Sequence, residues 1–127
     1  MIIAIDFDGT CVTHAFPAIG EDIGAVPVLK ALVNCGHQLI LHTMRDATYL
    51  SEAEAWFAKN EIPLYASNDN PSQVKWSKSR KVYAHLYIDD AALGVPLKLD
   101  LKISRRPFVD WEKTKQLLER KGLIYEI

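Results

Sequence analysis

The chain has 127 residues, of which 49% are hydrophobic and 24% charged, and its formal net charge is -1. This length suits a single folded domain, which we predict to span residues 1–127, and it is too short for two ordinary domains. The near-neutral charge makes a nucleic-acid partner unexpected, and no apolar run reaches the ~18 residues of a membrane helix. Two cysteines do not form a disulfide framework. We therefore expect a cytoplasmic protein.

Short apolar runs alternate along the chain with stretches of helical periodicity. In chain order, the pattern predicts a strand at 2–5, a helix at 22–34, a strand at 39–41, a helix at 47–59, a strand near 64–66, a short helix at about 72–77, a strand at 86–88, a fifth strand within 97–103, and a helix from Pro107 to about Lys121. Gly36 suits the left-handed position that follows the first helix, and Gly122 is expected to end the last one.

This alternation favours a three-layer, Rossmann-like α/β fold with a mostly parallel sheet and helices on both faces. In such sheets the reacting groups gather at the carboxyl ends of the strands. Small polar or acidic residues follow three of the predicted strands: Asp6, Thr43, and the pair Asp89 and Asp90. We therefore expect these residues to share one site at this edge of the sheet.

Asp6 and Asp8 are separated by one residue, so their carboxylates leave an extended backbone on the same side. Two like charges this close repel each other unless a cation lies between them or one is protonated. With Asp89 and Asp90, up to four carboxylates meet in one crevice, and all-oxygen ligands of this kind suit Mg²⁺. A carboxylate can also act as a nucleophile and form an aspartyl-phosphate.

Small and hydroxyl-bearing residues beside these carboxylates suit a phosphate site. Gly9 allows the backbone to turn sharply and a substrate to approach closely. Thr10 is expected to hydrogen-bond across the loop and to hold Asp8 in place. Thr43 offers a hydroxyl, and its backbone N–H can donate to a phosphate oxygen, although a threonine at a strand end is also an ordinary β-forming residue.

The segment 6–10, Asp-Phe-Asp-Gly-Thr, resembles the nucleophile loop of the haloacid dehalogenase (HAD) superfamily of phosphohydrolases. Residues 39–43 are similar to the second motif of that superfamily, and residues 86–90 to its acidic fourth motif. The stretch 14–21 together with 79–81 resembles a group of small, largely uncharacterised bacterial and phage members. The resemblance implies a HAD-like fold and a Mg²⁺-dependent phosphatase that hydrolyses a phosphate monoester.

The resemblance also implies a role for each matching residue. Asp6 would be the nucleophile that carries the aspartyl-phosphate. Asp8 would protonate the leaving oxygen and then activate water, and its backbone carbonyl would bind the cation. Asp89 and Asp90 would complete the metal site, which also includes Asp6. Thr43 would hold the phosphoryl oxygens, and Gly9 would also bind phosphate.

A lysine or arginine forms the third motif of the superfamily, where it balances the negative charge of nucleophile and phosphate. Four cations of this sequence lie in the right region: Lys75, Lys78, Arg80 and Lys81. We prefer Lys81, because it stands in the group Ser-Arg-Lys just before the fourth predicted strand, and Lys78 comes second. A solvated surface charge is the alternative interpretation for each of them.

Two features depart from the pattern of the superfamily. Ala91 and Ala92 follow the acidic pair, where similar small members tend to carry arginine. The intervals between motifs are also too short for an inserted cap domain. We expect the site to be open, or covered by a second copy of the chain, by a large substrate, or by a small flap that includes His14, Phe16 and Pro17.

Other functions are compatible with the same residues. A phosphotransferase would use the same aspartyl-phosphate with a different acceptor, and a catalytically silent domain would only bind Mg²⁺ or a phosphorylated ligand. A response-regulator receiver is discounted, because the predicted strand near 64–66 does not end in aspartate. The expected substrate is a phosphorylated small molecule.

Overall fold

The computed structural model describes residues 1–126, and residue 127, the last of the predicted domain, lies outside them. The helices are α1 (Ala25–Asn34), α2 (Ala47–Lys59) and α3 (Trp111–Arg120). The strands are β1 (Ile2–Ile5), β2 (Gln38–Leu41), β3 (Ala66–Ser67), β4 (Leu86–Ile88), β5 (Leu97–Lys98) and β6 (Phe108–Val109). Over this part of the chain, no helix has both the length and the apolar character needed to cross a membrane.

Four strands form a parallel sheet in the order β3-β2-β1-β4. At the centre of the sheet, Ile5 of β1 pairs with Leu41 on one side and with Ile88 on the other. The chain first adds β2 and β3 on one side of β1, and then returns to add β4 on the other side. Such a reversal opens a crevice at the carboxyl ends of the strands, and the candidate site lies there.

The two faces of this sheet are covered differently. Ile5 and Leu41 point to one face and join a buried cluster that contains residues of α1, α2 and α3. On the opposite face, the hydroxyl of Tyr87 donates to the carbonyl of Val82 (2.6 Å) and accepts from the N–H of Ala84 (3.2 Å). The sequence predicted helices on both faces, but this second face is covered by the irregular segment 68–85.

The predicted helix at 72–77 is wrong, because this segment consists of turns. The buried side chain of Gln73 organises them. Its amide donates to the carbonyls of Ser79 (3.2 Å) and Lys81 (2.8 Å), and its oxygen accepts from the N–H of Tyr83 (2.8 Å). A side chain that satisfies three backbone groups allows irregular chain to be buried without the hydrogen bonds of a helix.

The C-terminal elements also differ from the prediction. The last helix begins at Trp111 instead of Pro107, because the buried strand β6 precedes it and pairs antiparallel with β5. The carboxylate of Asp110 accepts from the N–H of Lys113 (3.1 Å) and caps the helix. Of the predicted strand at 97–103, only the two residues of β5 are extended and paired. The first helix begins at Ala25 instead of residue 22.

Candidate active site

The polar residues predicted at the strand ends lie at one edge of the sheet. Asp6 directly follows β1, and its N–H donates to the carbonyl of Ile88 (3.0 Å), which fixes this strand end against β4. Two adjoining cavities of about 470 and 300 Å³ open at this edge. Asp6, Thr43 and Asp89 line both of them. The predicted convergence of these residues is confirmed.

Three carboxylates form a compact acidic cluster at the centre of the site. Asp6, Asp89 and Asp90 each place one oxygen atom within 4.8 Å of the others. The side chain of Asp8 does not belong to this cluster, although it lines the larger cavity together with Asp6. The predicted ligation by the backbone carbonyl of Asp8 stays a prediction.

The surroundings of Asp6 disfavour its negative charge. Burial raises the pKa of Asp6 to about 8, and the neighbouring Asp89 and Asp90 raise it as well, against the lowering effect of a hydrogen bond from Thr10. A cation between the three carboxylates would offset both the lost hydration and the repulsion. The donor set consists of oxygen atoms only, so it fits a hard divalent cation such as Mg²⁺.

Thr10 connects two members of this cluster. Its hydroxyl donates to the carboxylate of Asp6 (2.6 Å) and accepts from the backbone N–H of Asp90 (3.0 Å). The sequence predicted that Thr10 holds Asp8, and this is wrong, because its hydroxyl is hydrogen-bonded to Asp6 and Asp90 instead. The carbonyl of Thr10 accepts from the indole N–H of Trp111 (2.7 Å), which anchors the loop to α3.

Asp8 is held by an arginine that the sequence analysis did not identify. The Nε and Nη2 atoms of Arg45 donate to the two carboxylate oxygens of Asp8, each at 2.8 Å. Arg45 is only 2% exposed, and the hydrogen bond to Asp8 raises the pKa of its guanidinium above the ordinary value. The sequence offered one signal, since Arg45 stands two residues after Thr43 in a loop at the strand edge.

His14 brings the first loop, which connects β1 to α1 (residues 6–24), into the site. Its Nε2 lies 2.9 Å from a carboxylate oxygen of Asp90, and the imidazole lines the larger cavity together with Phe16 and Ala91. The N–H of Gly9 donates to the carbonyl of Val12 (2.8 Å) and is therefore already engaged within the loop. The phosphate contact predicted for Gly9 stays a prediction.

Thr43 lines both cavities, and its polar groups have partners within the protein. Its N–H donates to the side-chain oxygen of Asn68 (2.8 Å), and its hydroxyl accepts from the N–H of Arg45 (3.1 Å). Asn68, which follows β3, was not among the predicted site residues. A phosphate oxygen would take the hydroxyl hydrogen of Thr43, whereas the N–H is donated to Asn68.

Among the candidate cations, Arg80 lies at the site. It lines the smaller cavity with Asp6 and Thr43. The ammonium of Lys81 lies over the ring of Tyr87 (5.7 Å), outside the linings of both site cavities. Lys78 lines a neighbouring cavity of about 600 Å³, which shares Arg80 with the smaller site cavity. Which cation balances the charge stays a prediction, for which Arg80 is now the first candidate.

The protein has a mixed α/β fold with a mostly parallel sheet, and an acidic cluster lies at the carboxyl edge of that sheet. No protein-family model matches this chain, and no curated protein matches it. Among solved structures, it is similar to a conserved protein from Bacteroides thetaiotaomicron, with 37% sequence identity and a TM-score of 0.78. The match covers 95% of this chain and 91% of the Bacteroides chain. The chain belongs to the same family as that conserved protein.

Proposed function

We propose that this protein is a Mg²⁺-dependent phosphatase of the HAD type, which hydrolyses a phosphate monoester through an aspartyl-phosphate on Asp6. One observation carries the proposal. Asp6 stands at the carboxyl end of the central strand, with oxygen atoms of Asp89 and Asp90 within 4.8 Å, in a cavity that Thr43 also lines. A nucleophilic carboxylate, ligands for a cation and a hydroxyl for phosphate thus meet at one place.

The acidic cluster suits the cation that this chemistry needs. Asp6, Asp89 and Asp90 would hold Mg²⁺, and the cation would neutralise charge on Asp6 and on the phosphoryl oxygens. Without such compensation, a carboxylate with a pKa of about 8 would be mostly protonated at neutral pH and a poor nucleophile. A cation held by these residues would therefore keep Asp6 ionised as well as bind phosphate.

The reaction would proceed in two displacements. The carboxylate of Asp6 attacks phosphorus, the bond between phosphorus and the ester oxygen breaks, and Asp8 gives a proton to the leaving alcohol oxygen. A water molecule then attacks the phosphorus of the aspartyl-phosphate, and Asp8 accepts its proton as phosphate leaves. This role is supported by the position of Asp8, which lines the same cavity as Asp6.

Turnover of p-nitrophenyl phosphate with Mg²⁺ tests the proposal. The wild-type protein should release p-nitrophenolate, and Asp6→Asn should reduce release to the background rate, because an amide is not a nucleophile here. Glu119→Gln is the matched control, since Glu119 is an exposed carboxylate on α3. No turnover across a broad panel of phosphate esters would contradict a phosphatase and favour a silent binding domain.

The same assay identifies the acceptor of the phosphoryl group. Added small alcohols compete with water for the phosphoryl group, and their phosphorylated products are measured by mass spectrometry. Inorganic phosphate as the main product supports hydrolysis. Transfer of most of the phosphoryl group to an alcohol at low concentration would instead favour the phosphotransferase alternative.

A further inference from the structure

The buried guanidinium of Arg45 binds both Asp8 in the acidic site and the backbone of the first loop. Besides its two hydrogen bonds to Asp8, it donates from Nη2 to the carbonyl of Ala18 (2.8 Å) and from Nη1 to that of Pro17 (3.3 Å). It also lies 5.0 Å from the ring centre of Phe16. One side chain therefore holds both Asp8 and the loop segment 16–18.

The geometry of this contact fixes the orientation of Asp8. The planar fork of an arginine that binds both oxygens of a carboxylate leaves it little freedom to rotate. Asp8 is the anion paired with Arg45 here. Held in this way, the carboxylate of Asp8 keeps one orientation in the cavity that Asp6 also lines.

We propose that Arg45 is the positioning residue that holds Asp8 as the general base for hydrolysis of the aspartyl-phosphate; this inference rests on the proposed function. In that step a bond forms between the water oxygen and phosphorus, and the bond between phosphorus and the Asp6 oxygen breaks. Asp8 takes one proton from the water, and this proton goes to the next leaving oxygen or, when that oxygen needs none, to solvent. Arg45 would act through Asp8, and its own side chain lines the larger cavity as well.

The same contact ties the first loop to this function. Phe16 lines the larger cavity, and the two residues that follow it, Pro17 and Ala18, carry the carbonyl groups that Arg45 binds. The edge of Phe16 also meets the ring of Tyr49, with 5.2 Å between ring centres. Loss of the guanidinium should therefore loosen residues 16–18 as well as Asp8. This second effect is measurable without any turnover.

The test uses p-nitrophenyl phosphate with Mg²⁺, because p-nitrophenolate leaves without a proton and its departure does not require Asp8. Arg45→Met should release about one equivalent of p-nitrophenolate quickly and then continue roughly 100-fold more slowly than wild type. Intact mass should show the phosphorylated protein during the slow phase. Arg45→Lys should lose less, and methylguanidinium should partly restore Arg45→Met. Arg120→Met, which removes an exposed arginine from α3, is the control.

The possible results separate the two proposals. If the wild type turns over and a folded Arg45→Met has the same steady rate, the role of Arg45 is overturned but the proposed function is not. Equal slowing of the rapid release and of the steady rate would also overturn it, because the defect would not be confined to the second step. A wild-type protein without turnover would overturn the proposed function and this inference with it.

Hydrogen exchange supplies the readout that is independent of activity. In Arg45→Met, the amides of Thr13 and Glu21, which donate hydrogen bonds to each other's residue at the base of this loop, should exchange faster, whereas those of β1 should keep their protection. Unchanged exchange in the loop would overturn the coupling between Arg45 and this segment. If Arg45→Met does not fold, Arg45→Lys decides the question: a wild-type steady rate overturns the role, and a slow rate after a full burst supports it.

Discussion

The imidazole of His14 fills the space that a side chain on Gly9 would need. A Cβ atom built at position 9 would overlap the ring, and it would lie 2.7 Å from a carboxylate oxygen of Asp90. Gly9 also has a φ of 80°, a conformation that side chains disfavour. The first loop can therefore close onto the acidic cluster only because this residue is glycine.

The first prediction follows from this close approach. Gly9→Ala should lower the free energy of unfolding by roughly 2–4 kcal/mol, as the sum of backbone strain and steric overlap. It should also weaken Mg²⁺ binding, because Asp90 must move. Gly94→Ala is the matched control, since Gly94 has a φ of 93° and nothing within 4 Å of the added atom.

Urea unfolding and calorimetric Mg²⁺ titration measure these two effects. Gly94→Ala should lose about 1–2 kcal/mol from strain alone and should bind Mg²⁺ like the wild type. Equal losses in the two variants would mean that the contact between Gly9 and His14 adds nothing beyond the strain.

The second prediction concerns the hydroxyl of Thr10. Thr10→Val keeps the shape of the side chain but leaves the N–H of Asp90 and an oxygen of Asp6 without their partner, which should cost about 1–3 kcal/mol. Thr114→Val is the control, because the buried hydroxyl of Thr114 has no hydrogen-bond partner among the described residues. Chemical denaturation should show that this control is as stable as wild type or more stable. A similar loss in both variants would contradict the prediction.

The third prediction is that the stability of the cation-free protein depends on pH and that Mg²⁺ counteracts this dependence. In the cation-free folded protein, Asp6 keeps its proton up to a pKa of about 8, whereas the unfolded chain loses it near 3.8. The folded state therefore binds more protons between these values, and its stability should fall as the pH rises from about 4 to about 8. Mg²⁺ favours the ionised carboxylate, so it should raise the melting temperature more at pH 8 than at pH 6.

Thermal melts of wild type and Asp6→Asn at both pH values measure this effect. At a Mg²⁺ concentration of 100 times Kd, the added stability should approach about 2.7 kcal/mol. Asp6→Asn should show a flatter pH dependence, and Glu119→Gln should behave like wild type. If Mg²⁺ raised the melting temperature of wild type equally at both pH values, Asp6 would not be the group whose proton the cation displaces.

The fourth prediction compares two neighbouring cations. Arg80→Gln should lower kcat/KM for p-nitrophenyl phosphate by about tenfold or more, since Arg80 lines the cavity that contains Asp6. Lys81→Gln should stay close to wild type, because its ammonium lies over Tyr87. Lys78→Gln should behave like Lys81→Gln with this small substrate. The opposite ranking of Arg80 and Lys81 would restore the assignment favoured by the sequence.

Much of the site could be predicted from the sequence because parallel strands end at a common edge. Asp6 follows β1 directly and Asp89 follows β4 directly, so short apolar runs were enough to place them together. The helix at 47–59 and the strand at 86–88 were predicted with the observed bounds. Periodic patterns are reliable where one face of an element is buried in a core.

Contacts made by loops could not be predicted in the same way. Arg45 and His14 lie in irregular segments, where no periodicity tells which way a side chain points. The sequence favoured Lys81, whereas the neighbouring Arg80 lines the smaller cavity, because adjacent residues point in different directions. The segment 72–77 has helix-compatible residues, but the buried amide of Gln73 satisfies its backbone in another conformation.

The hydrogen bond from the indole of Trp111 to the carbonyl of Thr10 joins residues that lie 101 positions apart in the chain. Contacts of such long sequence separation form slowly, because loop closure costs entropy before the contact is made. During synthesis, β1 and the acidic strand ends would emerge long before α3. We therefore expect the loop after β1 to acquire its final shape only when the last helix docks, so that catalytic competence would be the final event of folding.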